Sequence, residues 1–336
     1  MQAPGQPIAV IGAGSWGTAL ALQFARSGRR VHLWDIDAKQ LAVIAAERVN
    51  TRYLPNAPFP DNIEVRHDLE SCLDNVTDIV VVVPSHGLRE TLQKLRPILD
   101  ASARVCWATK GFELTTGKLP HEVAAEVLGD NHAMAVLSGP TFAREVGAGL
   151  PTAMTIASAD SEFAEDLAEA ISKDNFRAYT SSDMIGVEVG GAVKNVLAIG
   201  AGISDGLGFG ANTRIALITR GLVEMTRLGV ALGAKQDTFM GLAGMGDLVL
   251  TCTDDQSRNR RMGLALASGK SIDEAQQEIQ QVVEGVLAAK AVKQVADKLS
   301  VEMPICQQIY SVLHEGVAPR EAVTALMSRA LTSEWP

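Results

Sequence analysis

Cysteine is scarce in this sequence: Cys72, Cys106, Cys252 and Cys306 are the only four in 336 residues. They lie far apart and no two form a CxxC pair, which argues against a zinc or redox centre and for reduced thiols in the core. Two of them, Cys106 and Cys252, sit inside apolar stretches. The six histidines offer no metal site either, since none falls in a helical pair or beside Cys or carboxylate at ligand spacing. No Ser-His-Asp order is legible, so no metal is expected and acyl-transfer chemistry is disfavoured. Long apolar runs are missing: the one that stands out, Ile79 to Val83, is far short of a membrane span. The N-terminus lacks the basic-then-apolar layout of a secretory signal, so the cytoplasm is the expected address. Basic excess is missing too. With a net charge of −9 the surface suits neither nucleic acid nor an anionic membrane, and any basic cluster needs a local explanation.

What is present is enough apolar material, 47% of residues, for the cores of two domains. Ile8 to Gly17 reads as a buried strand turning abruptly into a helix through Gly12, Gly14 and Gly17. Gly12 permits the tight turn, Gly14 leaves room for a pyrophosphate, and Gly17 lets helix and strand pack closely. Free N–H groups at the helix start then face the anion. Such a glycine pattern alone is weak, but its surroundings agree. Thr18 to Ser27 continues as a helix ended by Gly28, and Val31 to Trp34 forms a second strand closing on Asp35, placed to meet an adenosine ribose. This is a dinucleotide cradle.

Further strands are expected at Ile79 to Val83, Arg104 to Ala108, Met134 to Leu137 and Thr152 to Ala157, alternating with helices at His86 to Leu99, Leu119 to Leu128 and Glu162 to Ile171. The alternation predicts a parallel, doubly wound sheet. From Gly186 onward the residues fall into helical periods. Ser271 with Glu274 forms a capping box, Pro304 fits the first turn of a helix ending before Gly316, and Pro319 opens another. Between Ile199 and Asn212 the glycines predict a loop or a kinked helix. The fold class is therefore α/β: an N-terminal doubly wound Rossmann domain over residues 1–185 and a C-terminal all-helical domain over 186–336 that carries substrate and catalytic groups.

Chemistry requires residues beyond the cradle. Lys194 sits among small and apolar neighbours, where lost hydration lowers its pKa and makes it a usable proton donor, unless it snorkels to the surface. Lys110 ends an apolar run and either faces the ligand crevice or is a solvated loop lysine. Ser138-Gly139-Pro140-Thr141 follows another strand and offers hydroxyls and N–H groups, or is a simple turn. Asp247 orients Lys194, accepts a substrate hydroxyl, or merely caps a helix. In Ser257-Arg258-Asn259-Arg260-Arg261 the guanidinium groups suit a phosphate, with Arg258 assigned to the anion and Arg261 to the surface.

The chain resembles the bacterial NAD(P)-dependent glycerol-3-phosphate dehydrogenases. The resemblance rests on Gly12-Ala-Gly-Ser-Trp-Gly-Thr18, Val83-Pro-Ser-His86, Ala108-Thr-Lys-Gly111, Ser138-Gly-Pro-Thr-Phe142, Gly190-Gly-Ala-Val-Lys-Asn195, Gly241-Leu-Ala-Gly-Met-Gly-Asp247 and Ser257-Arg-Asn-Arg260. It implies interconversion of dihydroxyacetone phosphate and sn-glycerol 3-phosphate for glycerophospholipid synthesis. It implies that Lys194 carries the proton, and that Lys110, Gly139, Thr141, Asp247, Ser257, Arg258 and Asn259 form the substrate site. Ser15, Trp16, Lys110, Ala143, Arg258, Val282 and Glu284 would contact the cofactor, clasped between the domains.

Members of that family often carry a basic residue or His just beyond the second strand, a partner for the 2′-phosphate of NADP. This chain has Asp35-Ile36-Asp37 instead, so NAD is expected to serve at least as well as NADP, with Lys39 as the nearby cation that favours the latter. Two other readings stay open: a β-hydroxyacid or sugar-acid dehydrogenase, and a non-catalytic NAD(H) sensor. A homodimer is left open as well.

Overall fold

The computed structural model describes residues 6–129, 131–330 and 333. Residues 1–5 and 130 of the expected first domain, and 331, 332 and 334–336 of the second, lie outside the described residues. Strand β1 (Ile8–Ile11), helix α1 (Ser15–Arg26) and strand β2 (Val31–Trp34) open the chain. Ile8 and Val10 bury on the face of the sheet covered by α1, Ala9 and Ile11 on the other, so both pleats are apolar and the run is unbroken. After α2 (Ala38–Glu47) come a small antiparallel pair, β3 (Val49–Asn50) and β4 (Leu54–Pro58), and strand β5 (Ile63–Val65). Next are α3 (Leu69–Cys72), β6 (Asp78–Val81), α4 (Leu88–Leu95), β7 (Arg104–Trp107), α5 (Pro120–Leu128) and β8 (Met134–Ser138). The half closes with α6 (Ala143–Gly147), β9 (Thr152–Ser158), α7 (Ser161–Ile171) and β10 (Phe176–Ser181).

Among the described residues the sheet has eight strands in the order β10-β9-β8-β7-β6-β1-β2-β5. The winding reverses at β1, which pairs with both β2 and β6, so a crevice opens beyond the carboxyl ends of β1 and β6. The sheet is not parallel throughout, as the alternation predicted: β9 runs antiparallel to β8, and β10 parallel to β9. The cause is the connection. A parallel return must carry the chain back along a strand of ~17 Å, whereas the five residues of α6 rise only ~7.5 Å. Strands β3, β4, β5 and β10 had no counterpart in the sequence reading.

The helical half is built around α8 (Met184–Gly206). By length and composition this helix could cross a membrane, yet it is the buried axis of the domain, packed by Met225, Leu228, Phe239, Met262 and Ile309. Around it lie α9 (Ala211–Ala231), α10 (Asp247–Thr253), α11 (Arg258–Ala267), α12 (Ile272–Ile279), α13 (Glu284–Lys298), α14 (Pro304–His314) and α15 (Pro319–Met327). The capping box at the start of α12 is present, with Ser271 accepting from Glu274 N and the Glu274 side chain from Ser271 N. The first part of α8 docks on the sheet through Glu188, whose buried carboxylate accepts from Trp107 Nε1 at 2.9 Å and from His121 N at 3.0 Å.

The loop or kink expected between Ile199 and Asn212 is instead helix as far as Gly206. Its glycines serve close packing. A Cβ on Gly202 would lie 2.0 Å from Arg260 O of α11, and one on Gly263 of α11 would lie 2.0 Å from Ile199 O. Gly202→Ala gains about 1 kcal/mol of helix propensity but drives α8 and α11 backbones apart, so a net loss of about 1–3 kcal/mol is expected in urea unfolding. Gly200→Ala meets first the tip of the Ile309 side chain, 2.7 Å away, which can turn aside. It should cost clearly less.

Candidate active site

The Gly-rich turn is held from several directions. Gly12 has φ +111°, and a Cβ there would lie 2.3 Å from Val82 O, while one on Gly17 would lie 1.8 Å from Gly12 O. Neither position admits a side chain. Gly14 is the contrast: nothing lies within 4 Å of its Cβ position, so its surroundings are open. Asp35 Oδ2 accepts from Ala13 N at 2.6 Å, and Gln40 and Asn50 donate to Ala13 O at 3.0 and 2.8 Å. The start of α1 has no side-chain cap, so its first N–H groups are left for a ligand. An open glycine beside an uncapped helix start is what a dinucleotide pyrophosphate requires.

Gly14, Ser15, Trp16 and Gly17 form one side of a cleft of about 990 Å³ between the sheet half and the helical half. The same cleft is lined by Lys110, Thr141, Ala143, Lys194, Asp247, Ser257, Arg258, Asn259, Val282 and Glu284. Of the cofactor and substrate residues expected from the sequence, Gly12, Asp35 and Gly139 lie off its surface. Gly12 is beneath the turn, Asp35 braces it, and Gly139 (φ +152°) packs where a Cβ would lie 2.9 Å from Met154 Cα.

At the floor, one carboxylate joins two ammonium groups. Asp247, the first residue of α10 and 1% exposed, accepts from Lys194 Nζ on Oδ1 at 2.5 Å and from Lys110 Nζ on Oδ2 at 2.8 Å. Lys194 projects from α8 and Lys110 from the loop after β7. Burial pulls the Lys194 pKa down to about 8, with Asp247 pushing it up and Lys110 down. Burial also pushes the Asp247 carboxyl up, but the two lysines outweigh it and hold it below its ordinary value. Thr251, one turn along α10, accepts from Lys194 Nζ at 2.9 Å and donates its proton to Asp247 O at 2.6 Å. An ammonium has three N–H bonds, so one remains for a molecule in the cleft.

The start of α11 forms another wall. Ser257 is its N-cap and accepts from Arg260 N at 3.2 Å, which leaves the hydroxyl proton available. Asn259 bridges the wall, donating to Asn195 Oδ1 and accepting from Gly285 N, both at 2.9 Å. The arginines divide differently from the sequence expectation. Arg260 is spent on Asp205 and Asp255. Arg261, assigned to the surface, lines the cleft, and its buried Nε has no described partner. Arg258 and Arg261 are three apart on α11 and share a helix face. Tyr53, Leu54, Pro55, Asn56 and Ala57 also line the cleft, brought in by β4, for which no sequence signal stood out.

Removing the shared carboxylate should be costly, because two buried ammonium groups would then face each other. Asp247→Asn is expected to lose about 3 kcal/mol in urea unfolding, at the low end for a broken buried pair because Lys194 can shed its proton. Adding Lys194→Met should restore most of that loss, which the same measurement checks.

Comparison with known proteins identifies relatives along the length of the chain. The family described as NAD-dependent glycerol-3-phosphate dehydrogenase N-terminus matches residues 7–164, and its C-terminus counterpart matches residues 183–324. The chain is 54% identical over 335 residues to the NAD(P)+ glycerol-3-phosphate dehydrogenase of Klebsiella pneumoniae, covering 99% of both chains. It is 55% identical over 328 residues to that of Vibrio cholerae, covering 97% of this chain and 95% of the other. The crystal structure of glycerol-3-phosphate dehydrogenase from Coxiella burnetii superposes with a TM-score of 0.94 at 51% identity, covering 97% of this chain and 99% of that one. With both halves matched and the cleft between them equipped as above, the chain belongs to the NAD-dependent glycerol-3-phosphate dehydrogenase family.

Proposed function

We infer that this protein reduces dihydroxyacetone phosphate to sn-glycerol 3-phosphate with NAD(P)H, for glycerophospholipid synthesis. The observation that carries the reading is the Lys110–Asp247–Lys194 triad on the floor of the cleft whose opposite side is the Gly-rich turn. The bound nicotinamide cofactor supplies the hydride. As the central carbonyl is reduced its oxygen gains negative charge, and Lys194 Nζ stabilises that charge and passes it a proton. Asp247 and Thr251 hold the ammonium in place, and Lys110 adds positive charge beside both ligands. Ser257, Arg258 and Asn259 grip the phosphate, with one hydroxyl proton, a guanidinium fork and one amide proton.

In this reading Gly139 and Thr141 shape the substrate side, and Ala143 borders the cofactor. Gly12, Gly14, Ser15, Trp16 and Gly17 seat its pyrophosphate, and Val282 and Glu284 cover it from the helical domain, residues 186–336. Clasping the ligands between this half and the Rossmann half, residues 1–185, keeps water from the reacting carbon. The Arg258–Asn259 pair favours a phosphate over the free acid of a hydroxyacid substrate, and a mere sensor has no use for the triad. Loss of NADH absorbance on adding dihydroxyacetone phosphate tests the activity; no loss would leave a binding protein.

Lys194→Ala is expected to keep NADH binding, seen by fluorescence titration, and to lose most turnover. For the wild type, the ammonium is the acid needed for reduction, is present below about pH 8, and is lost as pH rises through that value. Reductive kcat/KM should therefore fall above about pH 8, while oxidative kcat/KM, which needs the neutral amine, should rise through the same range. The Asp35 carboxylate suits ribose hydroxyls and repels a 2′-phosphate, so kcat/KM with NADH should at least equal that with NADPH. A large advantage for NADPH would overturn that preference.

A further inference from the structure

We infer that Arg52 is the residue that admits a 2′-phosphate at the adenosine end of the cleft, and that it, not Lys39, sets how far this enzyme works with NADPH. The inference rests on the dinucleotide reading of the Gly-rich turn but not on the reaction. Arg52 is seventeen positions beyond Asp35 in the sequence, in the turn between β3 and β4, and the fold brings it back to the loop after β2. Its Nη1 lies 3.7 Å from Asp37 Oδ2 and 3.5 Å from Gln40 Oε1. Its guanidinium carbon sits 5.0 Å from the centre of the Tyr53 ring, and Tyr53 lines the cleft. One side chain thus spans from the cleft wall to the loop that carries Asp35.

The neighbouring carboxylates and helix-start N–H groups are already engaged. Asp35 accepts from Ala13 N on one oxygen and from Asp37 N on the other, at 2.6 and 2.9 Å, so its charge is fixed beside the ribose position. Asp37 Oδ1 accepts from Lys39 N and Gln40 N, both at 3.1 Å, which takes the N–H groups at the start of α2 that an anion would use. Arg52 itself is held by an exposed ion pair, its side chain 62% and that of Asp37 44% exposed, by a long hydrogen bond to Gln40 and by the Tyr53 ring, and such exposed contacts are weak. A phosphate can therefore draw the guanidinium away from Asp37, and its oxygens match the fork in a way a single carboxylate oxygen does not. Asp37 competes with the 2′-phosphate for Arg52, and that competition sets the balance between the two cofactors.

The test compares binding of 2′,5′-ADP and 5′-AMP by calorimetry alongside kcat/KM for NADPH and NADH. Arg52→Ala should weaken 2′,5′-ADP binding and NADPH efficiency by about tenfold, leaving 5′-AMP and NADH within about twofold. Asp37→Ser keeps an N-cap acceptor for α2 and frees Arg52, so it should raise both 2′-phosphate readouts about threefold or more, and not when combined with Arg52→Ala. Equal losses for both nucleotides in Arg52→Ala, or the selective loss appearing in Lys39→Ala instead, would overturn the assignment. Because the calorimetric arm involves no turnover, a protein that fails to reduce dihydroxyacetone phosphate still answers this question.

Discussion

A single buried carboxylate, that of Asp247, ties the two halves of this protein together at the point where they must cooperate. Lys110 reaches it from the sheet and Lys194 from the core helix, so the contact closes only when the halves are correctly apposed. Two ammonium groups against one carboxylate leave a surplus positive charge in a place poor in water, which is costly to maintain. The fold accepts that cost where negative charge will develop on a bound carbonyl. The depressed pKa of Lys194 is the same fact seen from the proton's side: the desolvation that disfavours its charge also makes the proton easy to give up.

Keeping that arrangement rigid falls to α8 and the backbones that press on it. Gly190 approaches Ala243 O, Gly202 approaches Arg260 O, and Gly285 of α13 approaches Asn195 O, each closer than a Cβ would allow. Helices in contact backbone to backbone have little room to slide, because no flexible side chain lies between them. Glycine in α8 is thus a packing device rather than a source of freedom, and Lys194 stands on a stretch buried without a break from Gly186 to Ser204.

Much of the sheet half was legible because its strands are buried on both faces and advertise themselves as short apolar runs. Helix starts were legible where chemistry is local, as at Ser271 with Glu274. What stayed hidden depends on partners distant in sequence. The direction of β9 follows from the brevity of α6, and β10, with exposed Arg177, Tyr179 and Thr180, carries no apolar run to betray it. Gly202 read as part of a break because its reason, Arg260 O of α11, is 58 residues away. Within the cleft, residue types named from the sequence do gather round one cavity, but Asp205, which takes up Arg260 while Arg261 faces the cleft, is beyond what local spacing can reveal.

The reversed strands at the edge of the sheet have a geometric consequence. Because β10 runs against β8, it delivers the chain to the amino edge of the sheet, and α8 must climb back along the strands before Lys194 can face the ligands. From Met184 to Lys194 the helix rises ~15 Å, close to the ~17 Å length of β8, and Gly191 draws level with Ser138 at that strand's end. The opening turns of α8 therefore act as a ruler. Shortening them by one residue would lower the amine only ~1.5 Å but swing it ~100° around the axis, so orientation, far more than height, fixes how many residues this segment must contain.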